Sequence, residues 1–372
     1  MATEVTSINH LPNDTVQSIL SRLPVQTLLT LRSVSKSWKS IISDPTFVRI
    51  HLQRQHHPNT LHNLFLRKLS TSHRGSIIDH FSLVRARDKR LDCPRPGWHN
   101  VLCTCEGVML LTIYSRDSYR AFMLWNPSTR TESKLFSFPY KFQCRPAKHG
   151  LCHDPVTGDF KVVVAFDKHY AVYSCKDDAW SEPMDFRYSC EMGATEGVFV
   201  DGVIYWVALD GEEEACQSRE IIYFDPKDDG FKKLEKPEDI IQGIGNGVFN
   251  LVVLRGCLCL YGHTRSDKTA IRIWMKEKGQ DRNAWTELMM IENEKPDVWF
   301  KPMCLLENNT KILLELEREG FVVYNPCEKT FGEINDYSCF QVKMFPCWES
   351  LLFPLECLRR PKRKRSRPLK FT

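Results

Sequence analysis

The first 54 residues show the apolar spacing of short amphipathic helices. In residues 13–23 the apolar positions fall at i, i+3, i+4 and i+7, either Asn13 or Asp14 can cap the start, and Pro24 ends the run. Asp44–Pro45 is a cap and first-turn signal for a last helix. With one or two helices between them, we predict a module of four short helices that is too small to bury much apolar surface alone and therefore needs a partner.

From residue 58 onward the pattern changes to short β-branched and aromatic runs broken by Gly, Asn-Pro and Asp-Pro, which is typical of many short strands. Five similar segments each carry an aromatic residue near a turn, and these residues are separated by 48, 51, 50 and 50 positions. They are Trp125, Tyr173, Phe224, Trp274 and Tyr324. A repeat of about fifty residues with four antiparallel strands predicts the blades of a β-propeller.

The segments at the two ends of the repeat region predict how the ring closes. LFLRKLS and SIIDHFSLV before the repeats, and CFQVKMFPCWESLLFPL after them, can combine into a further blade. We therefore predict a small all-α module followed by an all-β propeller of about six four-stranded, kelch-like blades. The tight turns between the first and second strands and the Asn-Pro-type turns between the third and fourth strands lie on one face of such a propeller, here called the turn face. The second-to-third-strand loops and the interblade connections share the other, the loop face, which we expect to carry recognition.

The helical module carries an ordered series of positions from Leu11 to Phe47 that includes two Leu-Pro pairs. In order and spacing this series resembles an F-box, with one departure at Ser35, where plant members often have Cys. This resemblance implies docking on the Skp-type adaptor of a cullin-RING ubiquitin ligase, by insertion of apolar side chains into a helical groove. It assigns either adaptor docking or the module's own core to Leu11, Pro12, Ile19, Leu20, Leu23, Pro24, Leu28, Val34, Trp38 and Ile41.

Residues 60–345 resemble the plant F-box-associated interaction domain. The matching elements, in order, are WNPSTR at 125–130, GLCHDPVTGDFKVV at 150–163, VYS at 172–174, GVFVDGVIYW at 197–206 and IIYFDP at 221–226. The resemblance implies a substrate-binding module. Because members of the family recognise diverse targets, the target itself does not carry over.

Aromatic and Arg side chains dominate the energetics of most interfaces, so we take those near the loop face as candidate substrate anchors. They are Tyr140, Phe142, Arg145, Tyr188, Trp299 and Phe300. Packing of these rings between blades is the alternative. The acidic run Glu212–Glu214 in the longest predicted loop either favours a basic partner or is a solvated surface.

Composition describes an ordinary folded protein with a separate basic tail. The chain has 372 residues, a length that suggests about two domains. Of these residues, 42% are apolar and 26% are charged. The formal charge is +5, but residues 359–370 hold eight Lys or Arg and no acid, which leaves 43 basic against 46 acidic residues elsewhere. We predict a disordered tail in which Lys362, Arg363, Lys364 and Arg365 form a nuclear localisation signal; nonspecific contact with nucleic acid is the alternative.

No sequence motif for catalysis, metal binding or membrane insertion is present. Walker A, GxSxG, HExxH and Rossmann patterns are missing, and the Cys103/Cys105 and Cys257/Cys259 pairs lack a second pair of ligands at zinc spacing. We therefore expect reduced, packed thiols, no metal and no cofactor. The start MATEVTSINH has neither the basic nor the apolar part of a signal peptide, and no apolar run is long enough to span a bilayer.

Together these features predict an F-box at 5–54, a substrate-binding F-box-associated propeller at 60–357 and the tail at 358–372. The predicted function is the non-catalytic substrate-recognition subunit of an SCF ubiquitin ligase in nucleus and cytoplasm. Its partners would be the Skp-type adaptor, through it the cullin and RING subunits, an unknown protein substrate and a nuclear import receptor. Two alternatives stay open: a nuclear nucleic-acid-associated propeller that uses the tail, and a propeller enzyme with a site in its central channel.

Overall fold

The computed structural model describes four helices, 26 strands and most of their short connections. The described residues are 12–55, 63–68, 77–82, 89–91, 99–115, 118–140, 148–188, 197–210, 218–236, 240, 244–264, 270–277, 284–292, 300–306, 309–316, 320–333, 342–354 and 358. None of the helices among them is long and apolar enough to cross a membrane.

The four predicted helices are present at the N-terminal end. They are α1 Asn13–Leu20, α2 Val25–Leu31, α3 Lys36–Ser43 and α4 Pro45–Gln55. Asp44 caps α4 as predicted, because its Oδ1 accepts hydrogen bonds from the backbone N–H of Thr46 (2.7 Å) and Phe47 (3.3 Å), and these bonds lower the pKa of the carboxyl.

The predicted cap of α1 is wrong. Asn13 and Asp14 both lie inside the helix, and the N-cap position is occupied by Pro12, whose side chain has no acceptor to offer. Pro12 has an extended conformation, and no side chain caps the first-turn amides of α1.

Five sheets are built from strands that are consecutive in the chain, and we call them blades 1 to 5. Blade 1 comprises β4 His99–Cys105, β5 Val108–Ser115, β6 Ser118–Asn126, β7 Thr131–Glu132 and β8 Phe136–Ser137. Blade 2 comprises β9 Lys148–His153, β10 Phe160–Phe166, β11 His169–Ser174, β12 Ala179–Trp180 and β13 Met184–Asp185. Blade 3 comprises β14 Val198–Val200, β15 Val203–Asp210, β16 Ser218–Asp225 and β17 Gly230–Leu234. Blade 4 comprises β18 Ile244–Leu254, β19 Cys257–Thr264, β20 Ala270–Lys276 and β21 Trp285–Glu292. Blade 5 comprises β22 Phe300–Leu306, β23 Lys311–Leu316, β24 Gly320–Asn325 and β25 Thr330–Glu333.

A further sheet, the closing sheet, joins the two ends of the propeller region. It pairs β26 Val342–Cys347 with β1 Asn63–Lys68, which continues to β2 Ile77–Ser82 and β3 Lys89–Leu91. The leftover segments noted in the sequence supply β1, β2 and β26, whereas β3 lies between β2 and the first repeat. The prediction of six blades is therefore corrected to five, and the remaining strands form this closing sheet. The innermost strands contact one another around a closed ring in the order β4, β9, β14, β18, β22, β26 and back to β4. Pairing of the last strand with the first therefore seals the ring non-covalently.

The repeat of about fifty residues is a structural repeat. Its five aromatic residues all occupy the third strand of a blade, next to the turn that leads to the fourth, and each is 6% exposed or less. Each also pairs with an apolar residue on the second strand, as in Met109–Trp125 and Ile312–Tyr324. Equivalent burial explains the regular spacing, because one large ring fills the same position in each of the five blades.

After β26 the chain crosses the turn face of blade 1, in a segment we call the strap, residues 348–354. Ser350 is fully buried and Phe353 packs into the core between blades 1 and 2. Further on, Leu358, which the sequence placed in the tail, forms a β-bridge with Ser133. The rest of the predicted tail lies outside the described residues.

The helical module rests on this strap and on the turn face. Leu351 packs against the helical core, the Val25 N–H donates to Glu349 Oε2 (3.2 Å), and Gln26 Nε2 donates to the Ser128 carbonyl (2.6 Å). Since Ser128 lies in the turn between β6 and β7, the module occupies the turn face. The loop face lies at the opposite ends of the strands.

Candidate functional site

Two surfaces are candidates for binding partners, and the first is the outer side of the helical module. The structure separates the residues predicted there into core and surface. Leu20 and Leu28 are buried with Val16, Ile42 and Phe47. Half-buried positions are Leu23, Trp38 and Ile41, exposed positions are Pro12, Ile19, Pro24 and Val34, and Leu11 lies outside the described residues.

Ile19 and Val34 are large apolar side chains held in water, 52% and 66% exposed. Each of them offers apolar surface whose burial by a partner would be favourable. The neighbouring Leu20 has the opposite role, since it is 2% exposed in the helical core. The sequence alone could not make this distinction, because both residues belong to the same i, i+3, i+4 pattern.

The second surface is the loop face with its six predicted anchors. Phe142, Arg145 and Trp299 lie outside the described residues, as does the acidic run Glu212–Glu214. Tyr140 is half-buried, donates its hydroxyl to the Ser181 carbonyl (2.7 Å) and stacks on Phe166, and its burial raises the pKa of the phenol.

Two of the predicted anchors are not exposed. Phe300 is 4% exposed and stacks against Phe331 within blade 5, and Tyr188 is 5% exposed beside Phe186. Both rings pack inside the propeller, which is the alternative to substrate contact given in the sequence analysis. The assignment of the six residues to substrate binding stays a prediction.

Between blades 2 and 3 the structure shows an open cleft of about 890 Å³, which we call the interblade cleft. It is lined by Lys168, Tyr170, Asp185, Phe186, Arg187, Tyr188, Gly230, Phe231, Lys232 and Lys233. Phe231 anchors its floor, with its ring 4.8 Å from that of Tyr170 and 4.9 Å from that of Phe186. The cleft therefore has an aromatic floor and a rim of basic side chains.

Sequence reasoning identified only Tyr188 of this cleft as an anchor. The remaining residues come from a second-to-third-strand turn and the strand β11 that follows it, from β13 and the connection after it, and from the outer strand β17. These segments are far apart in the chain. The available signal was the string MDFRY at 184–188, in which an Arg lies between two aromatic residues. Nothing in the sequence indicates that GFKK at 230–233 lies opposite it.

The charges on the rim differ in how well they are neutralised. Lys232 Nζ lies 2.9 Å from Asp225 Oδ2 and 2.6 Å from Asp228 Oδ2, and these carboxylates raise its pKa. Lys233 pairs with the buried Glu220 at 3.1 Å.

Arg187 and Lys168 are less neutralised. The Arg187 guanidinium lies 4.7 Å above the centre of the Tyr188 ring, Nη2 donates to the Tyr188 hydroxyl (2.9 Å), and its contact to Asp210 is long, at 3.7 Å. The side chain stays 65% exposed. Lys168 has no ion pair within the described part of the chain. The positive field at the rim therefore comes mainly from these two residues.

Buried titratable groups elsewhere act as packing groups. Burial raises the pKa values of the Cys259, Cys304 and Cys347 thiols to about 12, so they stay protonated, and burial lowers the pKa of His149 to about 4. Within the described ranges, no three His, Cys, Asp or Glu side chains lie together as metal ligands would.

Comparison with known proteins agrees with this architecture. The family model for the F-box associated beta propeller domain matches residues 75–344, and the F-box domain model matches residues 8–50. The Arabidopsis thaliana F-box protein CPR1 is 26% identical over 361 residues, covering 88% of this chain and 85% of that protein. The F-box/kelch-repeat protein At3g23880 of the same plant is 23% identical over 354 residues, covering 87% and 89%.

Among solved structures, the Cps50 (Swd1) β-propeller domain of Myceliophteria thermophila is 9% identical with a TM-score of 0.40, covering 72% of this chain and 82% of that one. The family models describe the two parts that the coordinates show, a helical module followed by a propeller. The chain therefore belongs to the family of F-box proteins that carry an F-box-associated β-propeller domain.

Proposed function

We propose that this chain is the substrate-recognition subunit of an SCF-type ubiquitin ligase. Its F-box would dock the Skp-type adaptor, and its propeller would hold a target protein for ubiquitination. The transfer of ubiquitin would be performed by the cullin-bound RING and its conjugating enzyme. This chain would then contribute proximity and orientation, which lower the barrier by making the transfer effectively intramolecular.

The observation that carries this proposal is the exposure of Ile19 and Val34 on an F-box held against the turn face. Val25 and Gln26 bond to the strap and to the turn face, and Leu351 of the strap packs against the helical core, whereas Ile19 and Val34 remain in water. One side of the module is thus used for attachment within the chain, and another is available to an adaptor. The loop face, at the other ends of the strands, stays available to a substrate.

The same observation divides six of the ten predicted adaptor-binding residues between two roles. We assign adaptor contact to the exposed Pro12, Ile19, Pro24 and Val34. The buried Leu20 and Leu28 form the module's core. Replacing a buried residue would unfold the module, so such a variant would test folding rather than docking.

The test is co-purification of the full chain with a plant Skp-type adaptor. We expect the wild type to form a stable complex, and the double variant Ile19→Asp, Val34→Asp to lose it while keeping the wild-type circular dichroism spectrum. The matched control is Val156→Asp, which places the same charge on an apolar residue that is 79% exposed on the propeller. If the double variant still binds, or if the wild type does not, the proposal is wrong.

We also propose that the basic tail directs part of the protein to the nucleus. The support is the density of cations at Lys362–Arg365, because clustered cations suit the acidic grooves of an import receptor. In cells that express a large fluorescent fusion, changing these four residues to Ala should reduce the nuclear fraction. An unchanged distribution would refute this role.

A further inference from the structure

We propose that the interblade cleft binds an extended acidic segment of a partner protein, with an apolar side chain of that segment on the aromatic floor. The inference deepens the proposed function and rests on it, since it names the chemistry of the target that the propeller would hold. Three features of the described residues support it: the composition of the cleft, its position and the free edge of a strand.

The first feature is charge. Among the described residues, the rim is lined by four basic side chains, Lys168, Arg187, Lys232 and Lys233, against a single acid, Asp185. Lys232 and Lys233 are largely neutralised by their carboxylate partners, so the attraction for an anion comes from Arg187 and Lys168. These two residues lie on the same side of the cleft, on loop-face connections of blade 2. A segment with several Asp or Glu residues complements this rim, and like charge would exclude a basic one.

The second feature is the floor. Phe231 contacts Tyr170, Phe186, Trp206 and Phe224 at ring-centre distances of 4.8 to 5.5 Å, so it is held rigidly by both blades. A pre-organised aromatic surface binds an apolar side chain without an ordering cost of its own. The Arg187 guanidinium is held above the Tyr188 ring, so the cation is placed to pair with a carboxylate of the segment.

The third feature is the outer edge of blade 3. The sheet order is β14, β15, β16, β17, so β17 is its last strand and no described strand pairs with its outer edge. Residues Gly230–Lys233 of that strand line the cleft. An extended segment could therefore add main-chain hydrogen bonds along β17, which supply affinity, while the rim and the floor select its side chains.

The position of the cleft agrees with a receptor role. Lys168 and Arg187 belong to connections on the loop face, whereas the F-box is attached at the turn face. One end of a segment bound in the cleft would reach the loop face, and the segment would not displace the adaptor-binding module at the turn face.

The experiment uses the full-length chain and a phage-displayed library of random twelve-residue peptides. We expect selected peptides to be enriched in Asp and Glu around an aromatic or aliphatic residue. Synthetic, fluorescently labelled copies of the most enriched peptides are then titrated by anisotropy. Binding should weaken as salt is raised, and at least tenfold in the variant Lys168→Glu, Arg187→Glu.

The matched control is Arg272→Glu, Lys329→Glu, which makes the same change in charge at exposed residues of blades 4 and 5. It should bind as the wild type does. The milder variant Lys168→Gln, Arg187→Gln should give an intermediate loss, which separates the loss of attraction from a disturbed fold.

Two outcomes would overturn the proposal: selection of neutral or basic peptides, or equal binding of acidic peptides to the cleft variant and the control. The adaptor is absent from this experiment, and the cleft plays no part in adaptor co-purification. Failure here would therefore leave the ligase assignment intact, and failure of adaptor docking would leave the peptide result standing.

Discussion

The side-chain amide of Asn126 donates a hydrogen bond to the backbone carbonyl of Ser350 (2.9 Å), a residue that lies 224 positions further along the chain. The same nitrogen donates to the Leu352 carbonyl (2.9 Å), and Oδ1 accepts from the N–H of Ser128 (2.8 Å) and Thr129 (3.1 Å). Asn126 is fully buried. One side chain thus closes a turn of blade 1 and holds the strap on which the F-box rests.

Replacing Asn126 by Asp should destabilise the protein, because the carboxylate keeps the turn but cannot donate to the two strap carbonyls. Asp225 shows that the turn itself tolerates a carboxylate, since in blade 3 it accepts from the Lys227 N–H (3.1 Å) at the equivalent position. We expect a loss of at least about 2 kcal/mol in the free energy of unfolding, measured by urea denaturation.

Asn325→Asp is the matched control for this change. It occupies the same turn of blade 5, is only half-buried, and its Oδ1 accepts from the Cys327 N–H (3.1 Å). Equal losses in the two variants would contradict a special role for the strap.

Gly107 should be intolerant of a side chain. Its φ is +84°, and a Cβ would meet Ser350 Cβ of the strap and lie 2.7 Å from the Trp348 carbonyl oxygen. Gly158 also has a positive φ, +73°, but open space around it. We expect Gly158→Ala to cost about 1 kcal/mol through backbone strain, and Gly107→Ala about 1–3 kcal/mol more through the clash, as measured by denaturant unfolding. If the two variants lost similar free energies of unfolding, the strap would have moved to make room for the new Cβ, and the predicted clash would be wrong.

The ion pair between Lys161 and Asp229 should stabilise the contact between blades 2 and 3. Lys161 Nζ lies 2.6 Å from Asp229 Oδ1 and 2.8 Å from the Pro226 carbonyl, and the lysine side chain is only 14% exposed. Lys161→Met should cost about 1 kcal/mol, because Asp229 is 41% exposed and water screens part of the interaction.

The control for this pair is Arg272→Met, whose partner Glu287 is 3.6 Å away with both side chains 44% exposed. It should leave the unfolding free energy nearly unchanged. A larger effect for Arg272→Met than for Lys161→Met would refute the assignment.

Stability should fall in mildly acidic solution because of His149. Its pKa is about 4 in the folded protein against 6.5 for an unperturbed His, since burial disfavours the charged ring. Below pH 6.5 the unfolded chain takes up a proton that the folded chain does not, so this contribution to stability is present above pH 6.5 and is lost as the pH falls towards 4. The loss is about 2 kcal/mol between pH 6.5 and 5.

Urea denaturation at both pH values would measure this effect. His149→Gln should flatten the dependence on pH, whereas the exposed His169→Gln should leave it unchanged. If His149→Gln kept the wild-type dependence of the unfolding free energy on pH, another titrating group would be responsible for it.

Local patterns predicted the elements of this fold well. The apolar periodicity located the four helices, and the repeated aromatic residues located the third strand of five blades, because both signals arise from neighbours within one element. The predicted cap at Asn13 or Asp14 was wrong, because α1 already starts at Asn13 and Pro12 takes the cap position. A boundary of one residue depends on backbone geometry that composition does not encode.

The candidate sites were predicted less completely. Ile19 and Leu20 are adjacent and equally apolar, yet one faces water and the other the core, which follows from how four short helices pack. Tyr188 and Phe300 carry the residue types of interface anchors, but both are buried by the packing within and between blades.

By itself the sequence determined an F-box followed by a repeat of four-stranded units, because these depend on spacing over a few turns of helix or a few strands. Only the tertiary structure decided that β26 pairs with β1, that Asn126 holds the strap and that Phe231 meets Phe186 in a charged cleft. Such contacts join residues tens to hundreds of positions apart. Their stability comes from burial and hydrogen bonding that arise only when the ring closes, so no local pattern of residues announces them.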